Sequence, residues 1–564
     1  MIAWVSVRAF IARGELEAAI PLAGMMQRQV VAGDGEAVRA TGAELAERAS
    51  AAAGLTSDPI WRSFEAVPAL GSNLRVVREL AAIVDDLATD GILPLSEVAG
   101  GISVADFRPV DGIVDLQPLI NARPAVAAAA GAIQSAQDEL RTVDTVNTLD
   151  DIAGAATTLG DAIAEVEPAI NALDRAVRIA PLILGAEGPR DYAVLFQNPA
   201  ELRSSGGIVG AVALIHTENG SIQLAQQASG AGFPGYTDPV LELPMETRGL
   251  YGDRTGRFML NVGLTPNFAL SARLAQEMWR LEYGVQVDGV LSIDPVALGY
   301  VLEATGPIAL PSGDVLTSEN AVSLLLSDVY QRYENPADQD AFFSSAAAAV
   351  FSAVAGGAVD PVTLITALSR AGDEHRVSVW SASEVEQAIL ADTTLAGSIP
   401  VSDSETQRFG LYINDATGAK MDTYLDVKTK VGQITCRDDL RPTYSIEVAL
   451  TNTAPGDAGT AFPWYVTGGG VFGVPPGNVK SIVSVYSAAD TQNLGLTQDG
   501  QVVPYLPATD DGFQVSALTV ELAPGQSTII RYSWLGAAEF DGELELHMTP
   551  VIHRNETQKL EMTC

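Results

Sequence analysis

Basic residues are scarce in this chain, and lysine is almost missing. Of 564 residues, 33 are Lys or Arg and 70 are Asp or Glu, which gives a formal net charge of −37. The first lysine along the chain is Lys420. Binding to nucleic-acid phosphates needs clustered Lys and Arg. Because the sequence concentrates these residues nowhere, we exclude a nucleic-acid partner.

Cysteine is equally rare, since the chain contains only Cys436 and Cys564. The pair lacks the Cys-x-x-Cys spacing that is typical of metal sites, whereas a single bridge closing a small β domain is typical of exported proteins. We therefore predict a disulfide between the two residues. Two buried thiols are the alternative.

The N-terminal apolar run is too short to span a membrane. Residues 1–12 are apolar but interrupted by Arg8, and a membrane-spanning helix needs about 20 apolar residues. We interpret this segment as the remnant of a membrane anchor. An amphipathic first helix is the alternative. The anchor hypothesis places the protein at the cell membrane, on its extracellular face.

Sequence motifs of common enzymes are missing as well. The chain has no Gly-x-Ser-x-Gly, no phosphate-binding Walker loop, no zinc-ligand spacing and no dinucleotide fingerprint. Its four histidines are scattered, and His216 on an apolar strand is more typical of a sheet residue than of a base. Glycoside hydrolysis needs two carboxylates about 5 to 9 Å apart across a cleft. Glu201, Asp288 and Asp294 could supply them, although 70 acidic residues offer many accidental pairs.

The spacing of apolar residues predicts a multidomain α+β protein. Residues 13–186 show helical periodicity and predict a stalk, in which helices at about 125–143 and 149–179 form an antiparallel hairpin. Residues 187–402 alternate strands with helices, which favours an α/β domain. Residues 403–564 contain seven or eight short strands between turns, which favours an antiparallel β-sandwich.

One stretch at the start of the α/β domain concentrates specialised residues. Val194–Phe196 and Gly207–Ile215 predict two strands, and Asn219 with Gly220 predicts a tight hairpin turn to a third. The residues between the first two strands predict a polar loop whose backbone approaches a ligand. The alternative is a turn with a surface arginine. The specialised residues are Asn198, Glu201, Arg203, Ser204, Ser205, Gly206 and Gly207.

Four motifs, in order, resemble the bacterial cell-envelope family known as domain of unknown function 4012. They are Asn198 to Gly207, Asp288 to Asp294, Thr305 to Pro307, and Asn414 to Met421. The resemblance covers nearly the whole chain and implies an N-terminal membrane helix, but no reaction. The last motif holds Lys420, which could point back at the α/β domain or be a solvated turn residue. Our candidate ligand-binding residues are Asn198, Glu201, Ser205, Gly206, Gly207, Asn414 and Lys420.

A weaker resemblance covers only about residues 191–354, whose order of elements is similar to that of the LytR-CpsA-Psr family. Members of that family transfer glycopolymers from polyprenyl pyrophosphate carriers to peptidoglycan, with arginines holding the pyrophosphate and an acidic residue helping to bind a metal ion. The resemblance implies Arg203, Arg332 and Asp294 as candidate catalytic residues and allows Mg²⁺ as a cofactor, with unknown ligands. Two positions depart from the family pattern, since Ser205 replaces an Asp and Gln227 lies where an Arg is expected.

Together these observations predict an extracytoplasmic envelope protein that acts on or binds cell-surface polysaccharide or its polyprenyl-pyrophosphate-linked precursor. Its activity, if enzymatic, would resemble that of a glycopolymer phosphotransferase. The alternatives are a non-catalytic scaffold or glycan-binding protein, and a glycoside hydrolase. A cleft lined by several arginines and an acidic metal site would favour the enzyme, whereas a closed or acidic cleft would favour the scaffold.

Overall fold

The chain combines helices with several sheets and ends in a strand-rich region, as the sequence predicts. The computed structural model describes residues 2–32, 34–68, 70–99, 108–488, 490–553 and 556–564. The chain divides into two compact units. The first comprises Met1–Pro109, Ile113–Pro189 and Glu218–Ser221, and the second comprises Val110–Gly112, Arg190–Thr217 and Ile222–Cys564.

The first unit is built from helices. They are α1 Ile2–Ala32, α2 Gly35–Thr56, α3 Pro59–Phe64, α4 Gly71–Asp86, α5 Leu93–Ala99, α6 Gln117–Thr142 and α7 Asp150–Ile183. A π-helical turn, Leu87–Ile92, joins α4 to α5. The predicted hairpin of two long helices is confirmed as α6 and α7, because Arg123 near the start of α6 donates to the carbonyl of Val177 near the end of α7 at 2.8 Å. Ile83 of α4 lies in one apolar cluster with Ile133 of α6 and Ile163 of α7.

The N-terminal segment forms the beginning of α1. Arg8, which interrupts the apolar run, donates to the carbonyl oxygen of Leu55 at 2.8 Å and pairs with Asp58 at 2.5 Å. Among the described residues, none of the helices is both long and apolar enough to cross a membrane. The anchor hypothesis for residues 1–12 stays a prediction.

The second unit begins with a mixed five-stranded sheet. Its elements are β1 Arg190–Arg203, β2 Gly206–Glu218, β3 Ser221–Ser229, α8 Met245–Tyr251, α9 Arg254–Arg257, α10 Phe268–Tyr283, β4 Gly289–Ile293, α11 Pro295–Thr305, β5 Ile308–Ala309, β6 Val315–Leu316, α12 Ala321–Ser323, α13 Val329–Arg332, α14 Pro336–Ala355, α15 Pro361–Asp373, β7 Val377–Ser381 and α16 Glu384–Leu390. The strand order is β3-β2-β1-β4-β7. Strand β1 is antiparallel to β2 and parallel to β4, whereas β7 is antiparallel to β4. The predicted turn at Asn219 and Gly220 is confirmed by their φ angles of 48° and 81°.

The predicted polar loop between the first two strands is instead mostly strand with a two-residue turn, and the ligand-binding role of its residues stays a prediction. Strand β1 continues to Arg203 with an irregular register after Asn198, and Gly207 already pairs opposite Leu202. A Cβ atom at Gly207 would lie 2.3 Å from the carbonyl carbon of Asn198. The glycine is therefore needed because two strands of the protein approach closely. Between β3 and α10 the chain forms α8, α9 and short 3₁₀ turns.

The rest of the second unit contains two more large sheets. Its elements are β8 Thr406–Asp415, β9 Leu425–Ile434, β10 Thr443–Asn452, α17 Ala458–Ala461, α18 Trp464–Thr467, β11 Val479–Ser487, β12 Gln492–Gln498, β13 Gln501–Val502, β14 Leu506–Asp510, β15 Phe513–Leu522, β16 Ser527–Leu535, β17 Glu543–Met548 and β18 Gln558–Lys559. The sheet orders are β13-β12-β16-β10-β9-β18 and β14-β15-β11-β8-β17. Residues of both sheets, including Phe409, Ile446, Val483 and Trp534, share one apolar core.

Fully antiparallel sheets were expected here, and this expectation needs a correction. Strand β17 is parallel to β8, and β18 is parallel to β9. After β16 in the six-stranded sheet, the chain crosses to the edge of the five-stranded sheet, and such a crossover permits parallel pairing. Both parallel strands lie at sheet edges.

The predicted disulfide between Cys436 and Cys564 is confirmed, with 5.6 Å between the two Cα atoms. Cys436 follows β9, and Cys564 follows β18, the parallel neighbour of β9. The bridge spans a sequence separation of 128 residues. Closing a loop of this length strongly restricts the unfolded chain.

Replacing Cys436 by Ser should lower the free energy of unfolding by about 2 to 5 kcal/mol, because the long loop is no longer closed in the unfolded state. Urea unfolding followed by circular dichroism, with and without reductant, measures the change. Reductant should destabilise the wild-type protein and leave the Cys436→Ser variant unaffected. Equal midpoints for oxidised wild type and variant would contradict the prediction.

Candidate functional site

The residues of two sequence motifs meet inside the second unit, where the end of β1 contacts the segment after β8. The amide of Ser204 donates to Asn414 Oδ1 at 2.9 Å, and Asn414 Nδ2 donates to Ser204 Oγ at 2.8 Å. The amide of Leu202 donates to Asp422 Oδ2 at 2.7 Å. We call the buried group of side chains around these contacts the junction cluster. It consists of Asn198, Glu201, Arg203, Ser204, Asn414, Asp415, Lys420 and Asp422.

Lys420 lies at the centre of the junction cluster. Its Nζ donates to Glu201 Oε1 at 2.8 Å, and the side chains of Lys420 and Glu201 are only 7% and 16% exposed. The same Nζ lies 4.5 Å from the ring centroid of Tyr330 and 5.4 Å from that of Tyr465. Burial alone would lower the pKa of Lys420, but Glu201 and the tyrosines outweigh it and raise this pKa. Lys420 therefore points back at the α/β region, as one of the two sequence interpretations predicts.

Glu201 and Asn198 complete the environment of this lysine. Burial opposes ionisation of Glu201, but Lys420 and Arg203 overcome it and lower the pKa of the Glu201 carboxyl. Asn198 Nδ2 donates to the hydroxyl of Tyr330, and Asn198 Oδ1 accepts from the amide of Ala200 at 3.0 Å. Both candidate ligand-binding residues thus have protein partners.

Arg203 is buried and only partly satisfied by hydrogen bonds. Its Nη1 donates to the carbonyl of Leu202 at 2.9 Å and its Nη2 to Asn261 Oδ1 at 3.2 Å. Its Nε has no hydrogen-bond partner among the described residues. Arg203 therefore retains one buried donor.

The junction cluster contains more acids than bases. Three carboxyl groups, those of Glu201, Asp415 and Asp422, interact electrostatically with Arg203, and Glu201 also interacts with Lys420. Burial and Glu201 raise the pKa of Asp415 to about 6, although Arg203 opposes the shift. Burial and the neighbouring Asp415 raise the pKa of Asp422 well above its ordinary value.

The remaining residues of the predicted loop serve packing between β1, β2 and the following turns. Ser205 donates from its amide to the carbonyl of Gly263 at 3.1 Å and accepts from Gln197 Nε2 at 3.3 Å. A Cβ at Gly206 would lie 2.2 Å from Gln197 Oε1. Ser205, Gly206 and Gly207 thus lie against protein atoms.

The structure does not show contacts among the three candidate catalytic residues within the described chain. Arg332 has a side chain that is 43% exposed and pairs with Asp314 at 2.6 Å. Asp294 is buried: its Oδ1 accepts from the amide of Ala297 at the start of α11, and its Oδ2 pairs with Arg376 at 2.7 Å. Burial raises the pKa of Asp294, although Arg376 opposes the shift.

The surroundings of Asp294 do not fit a magnesium ion, because its carboxylate is buried and is already paired with the guanidinium of Arg376. Among the described residues, none of the His, Cys, Asp and Glu side chains form a group of three or more that could hold a metal ion. The acids weighed for glycoside hydrolysis also have separate cations: Lys420 for Glu201, Arg190 for Asp288 at 3.2 Å, and Arg376 for Asp294.

A small cleft lies beside the junction cluster. Its lining includes Lys420, Thr423, Gln331, Ser327 and Phe462, and its cavity volume is about 10 Å³. That volume is close to the minimum for a single water molecule. The cleft cannot enclose a pyrophosphate in this conformation.

Several members of the site are not evident from the sequence. Tyr330 and Tyr465 contact Lys420, Asn261 contacts Arg203, and Arg376 pairs with Asp294 and donates to the carbonyl of Val551 at 2.7 Å. Arg376 directly precedes the apolar strand β7. An arginine beside an apolar strand indicates a buried cation that pairs with an acid, so the sequence does contain a signal for this residue.

Residues 187–330 match the model of a family described as "Protein of unknown function (DUF4012)". The predicted resemblance to this family is thereby confirmed over that stretch, which includes all of β1 and Tyr330. A search of curated proteins finds no match to the chain. The weaker resemblance to the LytR-CpsA-Psr family stays a prediction.

Replacing Lys420 by Met should destabilise the protein by about 3 to 5 kcal/mol, because the change leaves the Glu201 carboxylate buried without its cation. Adding Glu201→Gln to this variant should recover most of the loss. Urea unfolding of the single and double variants measures the coupling. Lys428→Met, at an exposed lysine 3.6 Å from Asp426, is the matched control and should change stability by less than about 1 kcal/mol. No recovery in the double variant would contradict this account of the pair.

Replacing Asp422 by Asn should stabilise the protein at about pH 7.5 by about 1 to 3 kcal/mol, because it removes a buried carboxylate. The raised pKa values of Asp415 and Asp422 mean that the folded chain holds protons which the unfolded chain releases from about pH 4 upward. Wild-type stability should therefore fall as the pH rises through about 4 to 6. The gain from Asp422→Asn should vanish below about pH 4, and thermal unfolding across this range measures it.

Asp439→Asn is the control with the opposite sign. The hydrogen bond from Arg437 lowers the pKa of the exposed Asp439 to about 2, so its contribution to stability is present at neutral pH and is lost only as the pH falls through about 2. This variant should not gain stability at neutral pH. A pH-independent gain from Asp422→Asn would refute the titration of the junction cluster.

Proposed function

We propose that this chain is an extracytoplasmic cell-envelope protein that binds cell-surface polysaccharide as a non-catalytic scaffold. The observation that carries the proposal is the burial of the junction cluster, in which Glu201, Lys420 and Asn198 have protein partners. The motif that suggested a ligand loop instead joins the end of β1 to the segment after β8.

Transfer from a pyrophosphate carrier requires accessible cations and an acidic metal ligand that is not already neutralised by a cation of the protein. Arg203 is buried, Arg332 pairs with Asp314, and both oxygens of Asp294 accept from protein donors. These contacts support binding without bond cleavage. The departures from the transferase pattern at Ser205 and Gln227 agree with this proposal.

The proposed place of the protein is the outer face of the cell membrane, with residues 1–12 belonging to a membrane anchor. The disulfide supports an oxidising compartment, since such bridges persist mainly in exported proteins. We further propose a helical stalk over residues 13–186, a LytR-CpsA-Psr-like domain over 187–402, and a β-sandwich domain over 403–564.

A phosphotransferase-like role at Arg203 is the second candidate, and one observation favours it. The Nε of Arg203 is a buried donor without a partner among the described residues, and such a donor could bond an anion if the junction cluster opened. This candidate requires binding of a polyprenyl-pyrophosphate analogue that depends on Arg203.

One experiment distinguishes the two candidates. The full chain is incubated with a polyprenyl-pyrophosphate-linked oligosaccharide, Mg²⁺ and peptidoglycan, and both release of the polyprenyl carrier and retention of free polysaccharide are measured. The scaffold proposal expects retention without release. Release that Arg203→Ala abolishes, together with at least about tenfold weaker binding of the carrier by that variant, would establish the second candidate. The unfolding midpoint of Arg203→Ala controls for misfolding.

A further inference from the structure

The connection between β10 and β11 exposes aromatic side chains in a nearly uncharged segment. Between residues 453 and 478 the one charged residue is Asp457, although 18% of the whole chain is charged. Trp464 and Phe472 are 64% and 69% exposed. We call residues 462–473 the aromatic loop.

Close contacts with glycines fix the two exposed rings. A Cβ at Gly469 would lie 2.0 Å from Trp464 Nε1, and a Cβ at Gly418 would lie 2.3 Å from Phe472 Cδ2. Gly468 lies against Gly418, so the two ring contacts are neighbours. Larger residues at these positions would displace the rings.

Residues of the junction cluster and its neighbour Tyr330 hold the aromatic loop in place. The amide of Lys420 donates to the carbonyl of Val466 at 2.9 Å, and the ring of Tyr465 stacks on that of Tyr330 with 5.8 Å between centroids. The loop is therefore attached to the buried ion pair of Lys420 and Glu201. Its exposed rings are positioned before any ligand arrives, which reduces the entropy lost on binding.

Neutral hydrogen-bonding groups lie beside the first residues of the aromatic loop. The cleft lined by Phe462 and Pro463 also contains Ser327, Gln331 and Thr423. Binding sites for neutral organic ligands combine apolar and aromatic surface with a few such polar groups. Hydroxyl and amide groups can exchange hydrogen bonds with sugar hydroxyls, while aromatic faces pack against the apolar faces of sugar rings.

Charge selects the class of ligand. The lysine of this region, Lys420, is buried and paired with Glu201, and the chain carries a net charge of −37. The net negative charge of the protein repels anionic polymers and anionic lipid surfaces, and the aromatic loop has no lysine or arginine of its own to offset this repulsion. We propose that Trp464 and Phe472 form the binding surface for a neutral polysaccharide, a proposal that rests on the function proposed above and assigns its binding site.

The test uses the full chain and affinity electrophoresis in gels containing mannan, arabinogalactan or dextran, with polygalacturonate as the anionic comparison. At least one neutral polymer should retard the wild-type protein. The double variant Trp464→Ala, Phe472→Ala should bind it at least about tenfold more weakly. Phe10→Ala, at an aromatic residue that is 79% exposed in the first unit, is the matched control and should bind as the wild type does. Equal unfolding midpoints exclude a folding defect.

A second measurement follows the indole of Trp464 directly. Trp61, Trp279 and Trp534 are fully buried, Trp380 is 8% exposed and Trp4 is 50% exposed. Acrylamide should therefore quench mainly Trp464 and Trp4, and the double variant isolates the share of Trp464. Bound polysaccharide should reduce this quenching in the wild type and in Phe10→Ala, but not in the double variant.

The outcomes separate this inference from the proposed function. Undiminished polysaccharide binding by the double variant would overturn the aromatic loop as the site and leave the scaffold function standing. Absence of binding to every polymer tested, neutral or anionic, would overturn both. Preferential binding to polygalacturonate, binding to phosphatidylglycerol vesicles that the double variant loses, or self-association that it loses in sedimentation would overturn the choice of ligand.

Discussion

The ion pair between Lys420 and Glu201 is the interaction on which the second unit's internal arrangement depends. Both side chains are largely buried, and a buried charge that loses its partner is strongly unfavourable. The end of β1 must therefore stay in contact with the segment after β8 as long as the unit is folded. The same lysine fixes the aromatic loop through its backbone amide and the rings of Tyr330 and Tyr465.

The surrounding carboxyl groups show that the junction cluster is not built for maximal stability. Asp415 and Asp422 are buried close to Glu201, and burial with like charge raises the pKa of both. A purely apolar contact would avoid this repulsion, since buried ion pairs are often no more stabilising than apolar packing. We infer that the cluster mainly fixes register: Leu202, Ser204 and Asn414 can satisfy their hydrogen bonds in one alignment of β1 only.

Local signals in the sequence predict many elements but not the junction cluster. Asn335 and Pro336 mark the start of α14, Asn219 and Gly220 mark a hairpin turn, and the two cysteines can pair only with each other. The helix start and the turn depend on neighbouring residues, and the pairing of the cysteines follows because the chain contains no third cysteine. They could therefore be predicted without knowledge of the fold.

The polar end of β1 has the composition of a loop, and its strand conformation depends on partners about 200 residues away. Leu202 bonds Asp422 across a separation of 220 residues, and Ser204 bonds Asn414 across 210. The periodicity of apolar residues does not predict partners that lie so far along the chain. Tertiary contacts can also override the local preference of a segment for loop or strand. The resemblance to transferases likewise suggested Arg203, Arg332 and Asp294 as one site. That suggestion rests on a shared order of elements, and such an order does not predict which acid pairs with each arginine.

The internal pairing of cations also limits how this protein can recognise a ligand. Lys420, Arg376 and Arg332 each bind an acid of the same chain, so their charge is largely neutralised before a ligand is present. Recognition through uncharged rings and hydroxyls is weak per contact and is little affected by salt. A repeating polymer compensates for weak contacts. Once one repeat of the polymer is bound, its other repeats are held near the protein at a high effective concentration. If several aromatic loops bind one polymer, as the proposed scaffold function allows, a neutral polysaccharide is held firmly while each individual contact still exchanges.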